Sequence, residues 1–342
     1  MSQVDRRTLQ PRILFVGNQT SSFVSNDYKI LTKHYPVTSH SFTQEGHPAR
    51  HLPRFILDVF FSLNKSDIVF CWFANTESFL PIFFGKILKK KTVVVAGGYD
   101  CANEPSINYG NFAHPLKRLI AAFIFNHVNI VLAVSDFTKH EALSCTHPHE
   151  IKTVYNGVDV DKFSPGTDRK EDMILTVASV DKLNVDLKGL RTFAEASKDL
   201  VNFKIVIIGP TDEKWKQELM RINPTIQFIG QLPHDDLVPW FRRTKIYCQL
   251  SYRESFGLSL VEAMSCGCIP VTTNHGALPE VVGDCGLIVP FKDVNATATA
   301  LTSAAQKTME NQACARQRAV SHFSLKTREE NLIKIIGDLS RR

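Results

Sequence analysis

The sequence predicts an α/β protein with two doubly wound parallel sheets, and three observations support this fold class. The chain has 342 residues, which is too long for one ordinary hydrophobic core and suits two domains of similar size. Short apolar runs recur in both halves, separated by stretches long enough for helices. Several runs end in glycine, as strands often do where a ligand approaches their carboxyl ends. We therefore expect two Rossmann-like domains that face each other across a cleft.

Five strand-like runs predict the sheet of the first domain. Helices between them would give a parallel sheet with right-handed crossovers. The runs lie at residues 12–17, 36–42, 67–73, 91–98 and 129–135. The fourth run ends in Gly97 and Gly98, so Asp100 should face the cleft. Two interpretations of Asp100 remain open, a catalytic group or a turn-forming residue after two glycines.

The boundary between the domains is predicted from turn residues. Asn156-Gly157 is a turn signal, and Pro165-Gly166 is followed by a charged run typical of a linker. We therefore predict domains at 1–165 and 166–321. A second set of short apolar runs builds the second sheet, at residues 173–180, 203–209, 226–230, 246–251, 269–273 and 286–289. Residues 322–342 form an amphipathic helix.

Composition and charge exclude several classes of protein. Hydrophobic residues make up 44% of the chain and charged residues 22%, as in soluble globular proteins. No run approaches the ~18–20 apolar residues that span a membrane, and the polar residues 1–10 do not resemble a signal peptide. We expect a cytoplasmic protein. The net charge of +6 is not concentrated in one tail and basic residues do not alternate with exposed-looking aromatics, so we expect no nucleic acid partner.

One segment combines basic and strongly apolar residues. Residues 114–127 contain Lys117 and Arg118 ahead of a long apolar run. We favour a core helix with a charged first turn. The alternative is peripheral contact with anionic lipid at the inner membrane surface.

Cysteine and metal-ligand patterns predict neither disulfides nor metal. Of eight cysteines, several lie in apolar runs, and Cys266 and Cys268 are too close for an ordinary disulfide and lack zinc partners. We expect buried thiols. Asp159-Val160-Asp161 lies in a connector, and His147 and His149 lack further ligands, so we predict no metal site.

The segment 250–264 is where we expect the chemistry. Apolar residues at helical spacing predict a helix that begins at Gly257, between two strands. A helix start exposes backbone N–H groups, and a glycine lets an anion approach them. Glu254 and Glu262 bracket this start on roughly the same side of the helix, since eight residues span a little over two turns. The expected ligand has an anionic centre with hydroxyl groups at both ends.

The same segment resembles the retaining glycosyltransferases of family 4. The likeness rests on Glu254-x7-Glu262 with Phe-Gly-Leu inside it, followed by Ala-Met-x-x-Gly and by Gly-x-Leu-Pro-Glu-Val-Val-Gly at 276–283. It runs from about Lys152 to Pro290. The resemblance implies the GT-B fold, in which the last helix crosses back to the first domain.

The resemblance also implies an activity and site residues. A nucleoside diphosphate sugar, with UDP as the expected nucleotide and GDP or ADP as alternatives, would donate its sugar to a glycan, a lipid carrier or a small molecule. No cofactor or metal is implied. Glu254 would bind the donor sugar, Glu262 the ribose, Lys188 the diphosphate, and the 230–232 loop the base. The catalytic candidates are Glu254, Lys188 and Asp100, where many family members have a histidine near the position of Asp100. The acceptor-side candidates are Gly17 and Asn18, in a loop where family members often carry a Gly-Gly pair. The implied donor-binding residues are Glu262, Ser255, Phe256, Gly257, Leu258, Lys182, Gly209, Gln231 and Leu232.

Two other functions remain open on the same two-domain plan. The first is a nucleotide-sugar epimerase or hydrolase, which would convert the donor without an acceptor. The second is a catalytically silent scaffold that binds nucleotide. The presence of Glu254, Glu262 and Lys188 together favours an enzyme.

Overall fold

The computed structural model describes residues 10–40 and 48–341, and side chains in the second range from residue 56 onward. The polar start at 1–10, apart from Gln10, and the end of the predicted run at 36–42 lie outside these residues. The described chain forms two compact units, one up to Tyr155 together with Arg328 onward, the other Asn156–Thr327. The domain boundaries predicted from the sequence lie after residues 165 and 321.

The first unit contains a six-stranded parallel sheet in the order β2-β1-β3-β4-β5-β6. Its strands are β1 (Ile13–Val16), β2 (Val37–His40), β3 (Ile68–Trp72), β4 (Lys91–Ala96), β5 (Ile130–Ala133) and β6 (Ile151–Thr153). The first five match predicted runs, and β6 was not predicted. The helices between them are α1 (Ser22–His34), α2 (Pro48–Asn64), α3 (Thr76–Ile87), α4 (Pro115–His127) and α5 (Asp136–Cys145).

The second unit contains another six-stranded parallel sheet, in the order β12-β11-β10-β7-β8-β9. Its strands are β7 (Glu171–Val177), β8 (Lys204–Ile208), β9 (Gln227–Gly230), β10 (Thr244–Gln249), β11 (Ile269–Thr273) and β12 (Leu287–Val289). Its helices are α6 (Asn184–Leu187), α7 (Leu190–Ser197), α8 (Glu213–Ile222), α9 (Leu237–Arg243), α10 (Leu258–Ser265), α11 (Leu278–Val282), α12 (Val294–Gln306) and α13 (Met309–Phe323). The last helix, α14 (Leu325–Arg341), starts here and continues in the first unit.

Both sheets have buried strands because helices cover both faces. Strand β3 is buried at every residue, and so is β11. Strands covered on both faces read as continuous apolar runs rather than as alternating ones. This property explains why the sequence revealed these strands.

The order of strands in the second sheet reverses between β7 and β10. From β7 the chain adds β8 and β9 on one side, then crosses to β10 on the other. Loops at the carboxyl ends of two such neighbouring strands lead in opposite directions and leave a crevice between them, where doubly wound sheets bind ligands. The segments after β7 and β10 are therefore the expected edge of a site.

A buried ion pair fastens α14 within the first unit. Arg328 Nη2 donates to Asp27 Oδ2 at 2.6 Å, and the two side chains are 1% and 0% exposed. Arg328 Nη1 also donates to the carbonyls of Val154 and Tyr155 at 2.9 and 2.7 Å. Trp72 Nε1 donates to Asp27 Oδ2 at 3.0 Å. Every charged group of this pair therefore has several partners, as a buried charge requires.

The expectation of buried thiols is wrong for one pair of cysteines. Cys285 and Cys314 form a disulfide with a Cα–Cα distance of 5.4 Å, within the usual range for such bonds. They are 29 residues apart, on the short turn after α11 and on α13, so only the fold brings them together. The other six cysteines are not in disulfides, and all but Cys145 are buried.

The described helices include none that is long and apolar enough to cross a membrane.

Candidate functional site

Helix α10 begins where the sequence predicted. Its first residue is Leu258, and Gly257 precedes it in the left-handed region with φ of +90°. A residue with a Cβ rarely adopts this conformation, which explains the glycine. The first amides of a helix have no partner within the helix and carry partial positive charge. The start of α10 is thus suited to an anion.

Lys188 and Glu254 meet beside this helix start. Lys188 directly follows α6, in the segment after β7, and Glu254 lies in the loop after β10. Lys188 Nζ donates to Glu254 Oε2 at 2.9 Å, and Gln249 Nε2 donates to the same oxygen at 2.8 Å. The side chains of Lys188 and Glu254 are 32% and 21% exposed. The carboxylate is therefore held in a fixed position at the surface of the unit.

Two glycines allow the backbone segments beside this pair to pack closely against each other. Gly189 and Gly276 have φ of +64° and +63°. A Cβ on Gly189 would lie 2.4 Å from the Leu250 carbonyl oxygen, and one on Gly276 would lie 2.4 Å from the Glu254 carbonyl oxygen. That Glu254 oxygen also accepts a hydrogen bond from the Ala277 amide at 2.8 Å. The loop that carries Glu254 is consequently fixed from both sides by backbone contacts.

Glu262 is buried inside α10 and has a histidine partner. It is 4% exposed, and His234 Nε2 lies 2.7 Å from its Oε1. Burial raises the pKa of Glu262, while the bond with His234 lowers it. The same bond raises the pKa of His234. Burial is the larger effect on Glu262, so the pKa of this carboxyl group lies above its ordinary value and is held down only in part by His234.

The remaining predicted donor-binding residues follow the carboxyl ends of β7 to β10. Lys182 is exposed in the segment after β7, and Gln231 is exposed after β9. Phe256 is 3% exposed, and its ring centroid lies 5.5 Å from that of Phe323. The other four are Ser255, Leu258, Gly209 and Leu232, of which only Gly209 is buried. The structure places all of these positions on one edge of the second sheet.

Asp100 lies in the first unit and has the contacts of a turn-forming residue. Its Oδ1 accepts hydrogen bonds from the Gly97 and Gly98 amides at 3.0 and 2.9 Å, and its Oδ2 accepts one from the Ala74 amide at 2.9 Å. Burial raises the pKa of Asp100, and the amide bonds oppose this effect. The carboxylate ties the end of β4 to the segment after β3.

Asp100 also borders a cavity of about 330 Å³ in the first unit. Phe73, Tyr99 and Lys117 contribute to its wall, and Lys117 Nζ lies 5.6 Å from the centre of the Tyr99 ring. The cavity combines aromatic surface with one cation. It is suited to a small polar molecule with a ring or an anionic group.

Gly17 and Asn18 lie at the carboxyl end of β1 in the first unit. The Gly17 amide donates to the His40 carbonyl at 3.3 Å. Asn18 Oδ1 accepts from the Thr20 amide at 3.0 Å, which makes a local turn. A Cβ on Gly17 would be 3.1 Å from that of Trp72, so packing accounts for this glycine.

Sequence reasoning missed two side chains of this site, His234 and Gln249. Gln249 is 8% exposed and directly follows the apolar residues 246–248 of β10, a signal that could have been noticed. His234 follows the loop after β9, four residues beyond Gly230. Its role depends on a contact with Glu262, 28 residues away, that no local pattern indicates.

No cluster of three or more His, Cys, Asp or Glu side chains that could hold a metal occurs among the residues that the structure describes. Asp159 Oδ1 instead accepts from the amides of Asp161 and Lys162 at 3.2 and 3.0 Å. These contacts are those of a turn.

Comparison with known families and proteins gives matches at the level of sequence, and the family match lies in the second unit. Residues 158–320 match the family model described as glycosyl transferases group 1. A D-inositol 3-phosphate glycosyltransferase of Corynebacterium jeikeium is 31% identical over 202 residues, 51% of this chain and 47% of that protein. The phosphatidylinositol N-acetylglucosaminyltransferase gpi3 subunit of Schizosaccharomyces pombe is 27% identical over 61% of this chain and 52% of that protein. The chain thus spans about half the length of these relatives.

Solved structures match over nearly the whole chain. Sucrose-phosphate synthase from Thermosynechococcus elongatus aligns with a TM-score of 0.76 at 15% identity, covering 97% of this chain and 100% of that one. Anabaena Alr3699/HepE, solved in complex with UDP and glucose, aligns with a TM-score of 0.75 at 15% identity, covering 96% and 100%. At this identity the likeness shows the fold alone. The predicted GT-B fold class is confirmed.

Proposed function

We propose that the chain, whose residues 158–320 match the family model of glycosyl transferases group 1, transfers a sugar from a nucleoside diphosphate sugar to an acceptor with retention of the anomeric configuration. The expected donor is a UDP-sugar, and no further cofactor is needed. The acceptor is a glycan, a lipid-linked molecule or a small molecule. The family match and the residues on the carboxyl edge of the second sheet support the proposal.

The observation that carries this proposal is the contact of Lys188 with Glu254 beside the start of α10. A cation, a carboxylate and the amides of a helix start lie on the loops after β7 and β10. A diphosphate placed here would interact with the Lys188 ammonium and with the amides near Gly257. Glu254 would then accept hydrogen bonds from hydroxyl groups of the donor sugar.

Glu262 is suited to the ribose of the donor. A carboxylate accepts hydrogen bonds from two neighbouring hydroxyl groups, whereas a protonated carboxyl group accepts them less well. Burial raises the pKa of Glu262, and the bond from His234 opposes this effect. His234 would act as a positioning residue for this carboxylate.

The reaction requires that the leaving diphosphate be stabilised. The bond between the anomeric carbon and the phosphate oxygen breaks, and a bond to the acceptor oxygen forms on the same face of the sugar. The leaving phosphate oxygen takes the proton of the acceptor hydroxyl, so that charge and atoms balance. Lys188 and the α10 amides would stabilise the negative charge that develops, and each such group commonly contributes ~3–4 kcal/mol to the transition state.

Product analysis with a panel of donors tests the proposal. Purified protein would be incubated with UDP-, GDP- and ADP-sugars, with and without candidate acceptors. The proposal predicts that mass spectrometry detects a glycosylated acceptor, and that NMR shows the donor's anomeric configuration in it. Efficient conversion of the donor without any acceptor would instead identify an epimerase or hydrolase. Nucleotide binding with no conversion under any condition would identify a silent scaffold.

A further inference from the structure

The first unit exposes an unusual amount of large apolar surface on three helices. Among the residues whose side chains the structure describes, fourteen large apolar side chains are exposed, and seven of them lie on α2, α3 and α4. We call these seven the α2–α4 face. They are Leu57, Phe60, Phe61, Phe83, Ile87, Leu116 and Leu119.

Ring contacts make this face continuous from one helix to the next. The rings of Phe60 and Phe84 join α2 to α3, with their centroids 6.2 Å apart. Phe83 stands 5.4 Å from Phe84 and 6.1 Å from Phe123 of α4. The aromatic side chains of α2, α3 and α4 are thus in contact from one helix to the next, and contiguous apolar surface commonly marks an interaction site.

Helical spacing places the exposed leucines of α4 on the same face as Phe123. Leu116, Leu119 and Phe123 are separated by three and four residues, so they follow one side of the helix. Leu116 and Leu119 are 71% and 69% exposed. The opposite side of α4 buries Ala121, Ile124 and Phe125. The helix is thus apolar on both sides, which packing against its own unit does not explain.

Beside the α2–α4 face, the exposed charges on α4 and at the end of α3 are basic, whereas α2 carries the exposed Asp58. Lys117 and Arg118 are exposed beside the two leucines, and α4 contains no acidic residue. Lys86 lies beside Ile87 on α3 and is exposed, and Lys89 is exposed just after this helix. Exposed apolar side chains bordered by lysine and arginine are complementary to a bilayer with anionic headgroups.

We propose that the α2–α4 face binds the surface of an anionic lipid bilayer. The leucine and phenylalanine side chains enter the boundary between headgroups and acyl chains, and Lys86, Lys117 and Arg118 contact lipid phosphates. A second copy of the chain fits this face less well, because a symmetric dimer would bring Lys117 and Arg118 close to their own copies. Like charges across an interface oppose association.

This face adjoins the cavity of the first unit. Lys117 and Ile120 of α4 line that cavity, whereas the neighbouring Leu116 and Leu119 are exposed. A bilayer bound to the face would hold its headgroups beside the cavity. If the proposed transferase activity is correct, this arrangement favours an acceptor carried on a lipid.

Vesicle sedimentation of the full chain tests the proposal. The protein would be mixed with vesicles of phosphatidylcholine alone and with vesicles of phosphatidylcholine and phosphatidylglycerol in equal amounts. We expect binding to the anionic vesicles, weaker binding as salt is raised, and little binding to phosphatidylcholine alone. The double variant Leu116→Ser with Leu119→Ser should lose about tenfold or more in affinity for the anionic vesicles. Arg118→Glu should lose a similar factor, because it reverses one charge at the headgroups.

Matched controls lie in the second unit. Val201→Ser changes an apolar side chain that is 82% exposed, and Arg169→Glu reverses an exposed charge. Both should bind anionic vesicles as the unchanged protein does. Circular dichroism would verify that each variant is folded, which is expected since every substituted side chain is exposed. This assay needs no sugar donor, so its result is independent of the transferase activity.

Three results would overturn the proposal. One is absence of binding to anionic vesicles by the unchanged protein. Another is equal binding by the leucine variant and by Val201→Ser. The third is a dimer in analytical ultracentrifugation that the leucine substitutions abolish, with no vesicle binding, since a second copy would then cover the face.

Discussion

Lys188 and Glu254 are 66 residues apart in the chain, and their side chains meet at 2.9 Å between Nζ and Oε2. Lys188 lies after β7 and Glu254 after β10, the two neighbouring strands between which the strand order reverses. The topology of the sheet therefore brings the cation and the carboxylate together. Gly189 and Gly276 complete the arrangement by letting the two loops approach closely.

Replacement of Lys188 tests the role of this cation. Lys188→Ala should lower the turnover number about 100- to 1000-fold, because the charge on the leaving diphosphate loses a preorganised partner. The measurement is the initial rate of sugar transfer. Lys204→Ala is a suitable control, since Lys204 pairs with Glu171 at the surface of the same unit. Equal rates for the two variants would show that Lys188 is only structural.

The contact between His234 and Glu262 should stabilise the protein by an amount that depends on pH. Glu262 raises the pKa of His234 above its ordinary 6.5, so the stabilisation is fully present below pH 6.5 and is lost as pH rises through the raised value. The stabilisation declines again once the pH falls through the pKa of Glu262, because the carboxylate then takes up a proton. Burial raises this pKa above 4.5. The difference in melting temperature between the unchanged protein and His234→Asn should therefore be larger near pH 6 than near pH 9.

Thermal denaturation across this pH range provides the measurement. His322→Asn serves as the control, because His322 lies in the same unit on α13. The hydrogen bond described for its ring is with the Arg318 carbonyl rather than with a carboxylate. A difference for His234→Asn that does not vary with pH would contradict the assignment of a charged pair.

Gly276 should tolerate substitution less well than Gly230. Both have positive φ, +63° and +83°, so alanine is strained at either position. A Cβ at 276 would also lie 2.4 Å from the Glu254 carbonyl oxygen, whereas a Cβ at 230 has no atom within 4 Å. Gly276→Ala should therefore cost about 1–3 kcal/mol more in the free energy of unfolding than Gly230→Ala. Urea denaturation of both variants measures this difference, and equal costs would contradict the described loop.

The buried pair of Asp27 and Arg328 should be costly to break and cheaper to replace. Asp27→Leu leaves the Arg328 guanidinium buried without its counter-ion and should cost about 3–5 kcal/mol. The combination of Asp27→Leu with Arg328→Met removes both charges and should cost less than the sum of the single changes. Unfolding measurements on the four proteins of this cycle give the coupling energy. Additive costs would show that the two side chains do not interact.

The sequence was sufficient for most of the fold because both sheets are parallel and covered on both sides. Eleven of the twelve strands in the described part of the chain coincide with strand-like runs, and β6 was missed because Ile151 is the one apolar residue among its three. The start of α10 at Gly257 was likewise predictable from helical spacing. Buried strands and helix starts can be predicted in this way because each leaves a pattern in a short stretch of sequence.

Contacts between distant residues were not predictable in the same way. The bond between His234 and Glu262 and the disulfide of Cys285 with Cys314 each need the tertiary fold. Of the two interpretations of residues 114–127, the core helix agrees with one side of α4, and contact with anionic lipid stays a prediction. The helix packs one side into its unit, as the favoured interpretation expected, and exposes leucines on the other.

The most direct test of the proposed donor site is calorimetric titration with UDP, with GDP and ADP as parallel ligands. We predict that the unchanged protein binds UDP. Glu262→Ala should weaken this binding at least about tenfold, because the ribose hydroxyls lose their acceptor. Glu254→Ala should bind UDP almost unchanged, since UDP carries no sugar for Glu254 to hold, and should instead lower the turnover number. Equal affinity of the unchanged protein and Glu262→Ala for every nucleotide, or no binding by the unchanged protein, would contradict the assigned site.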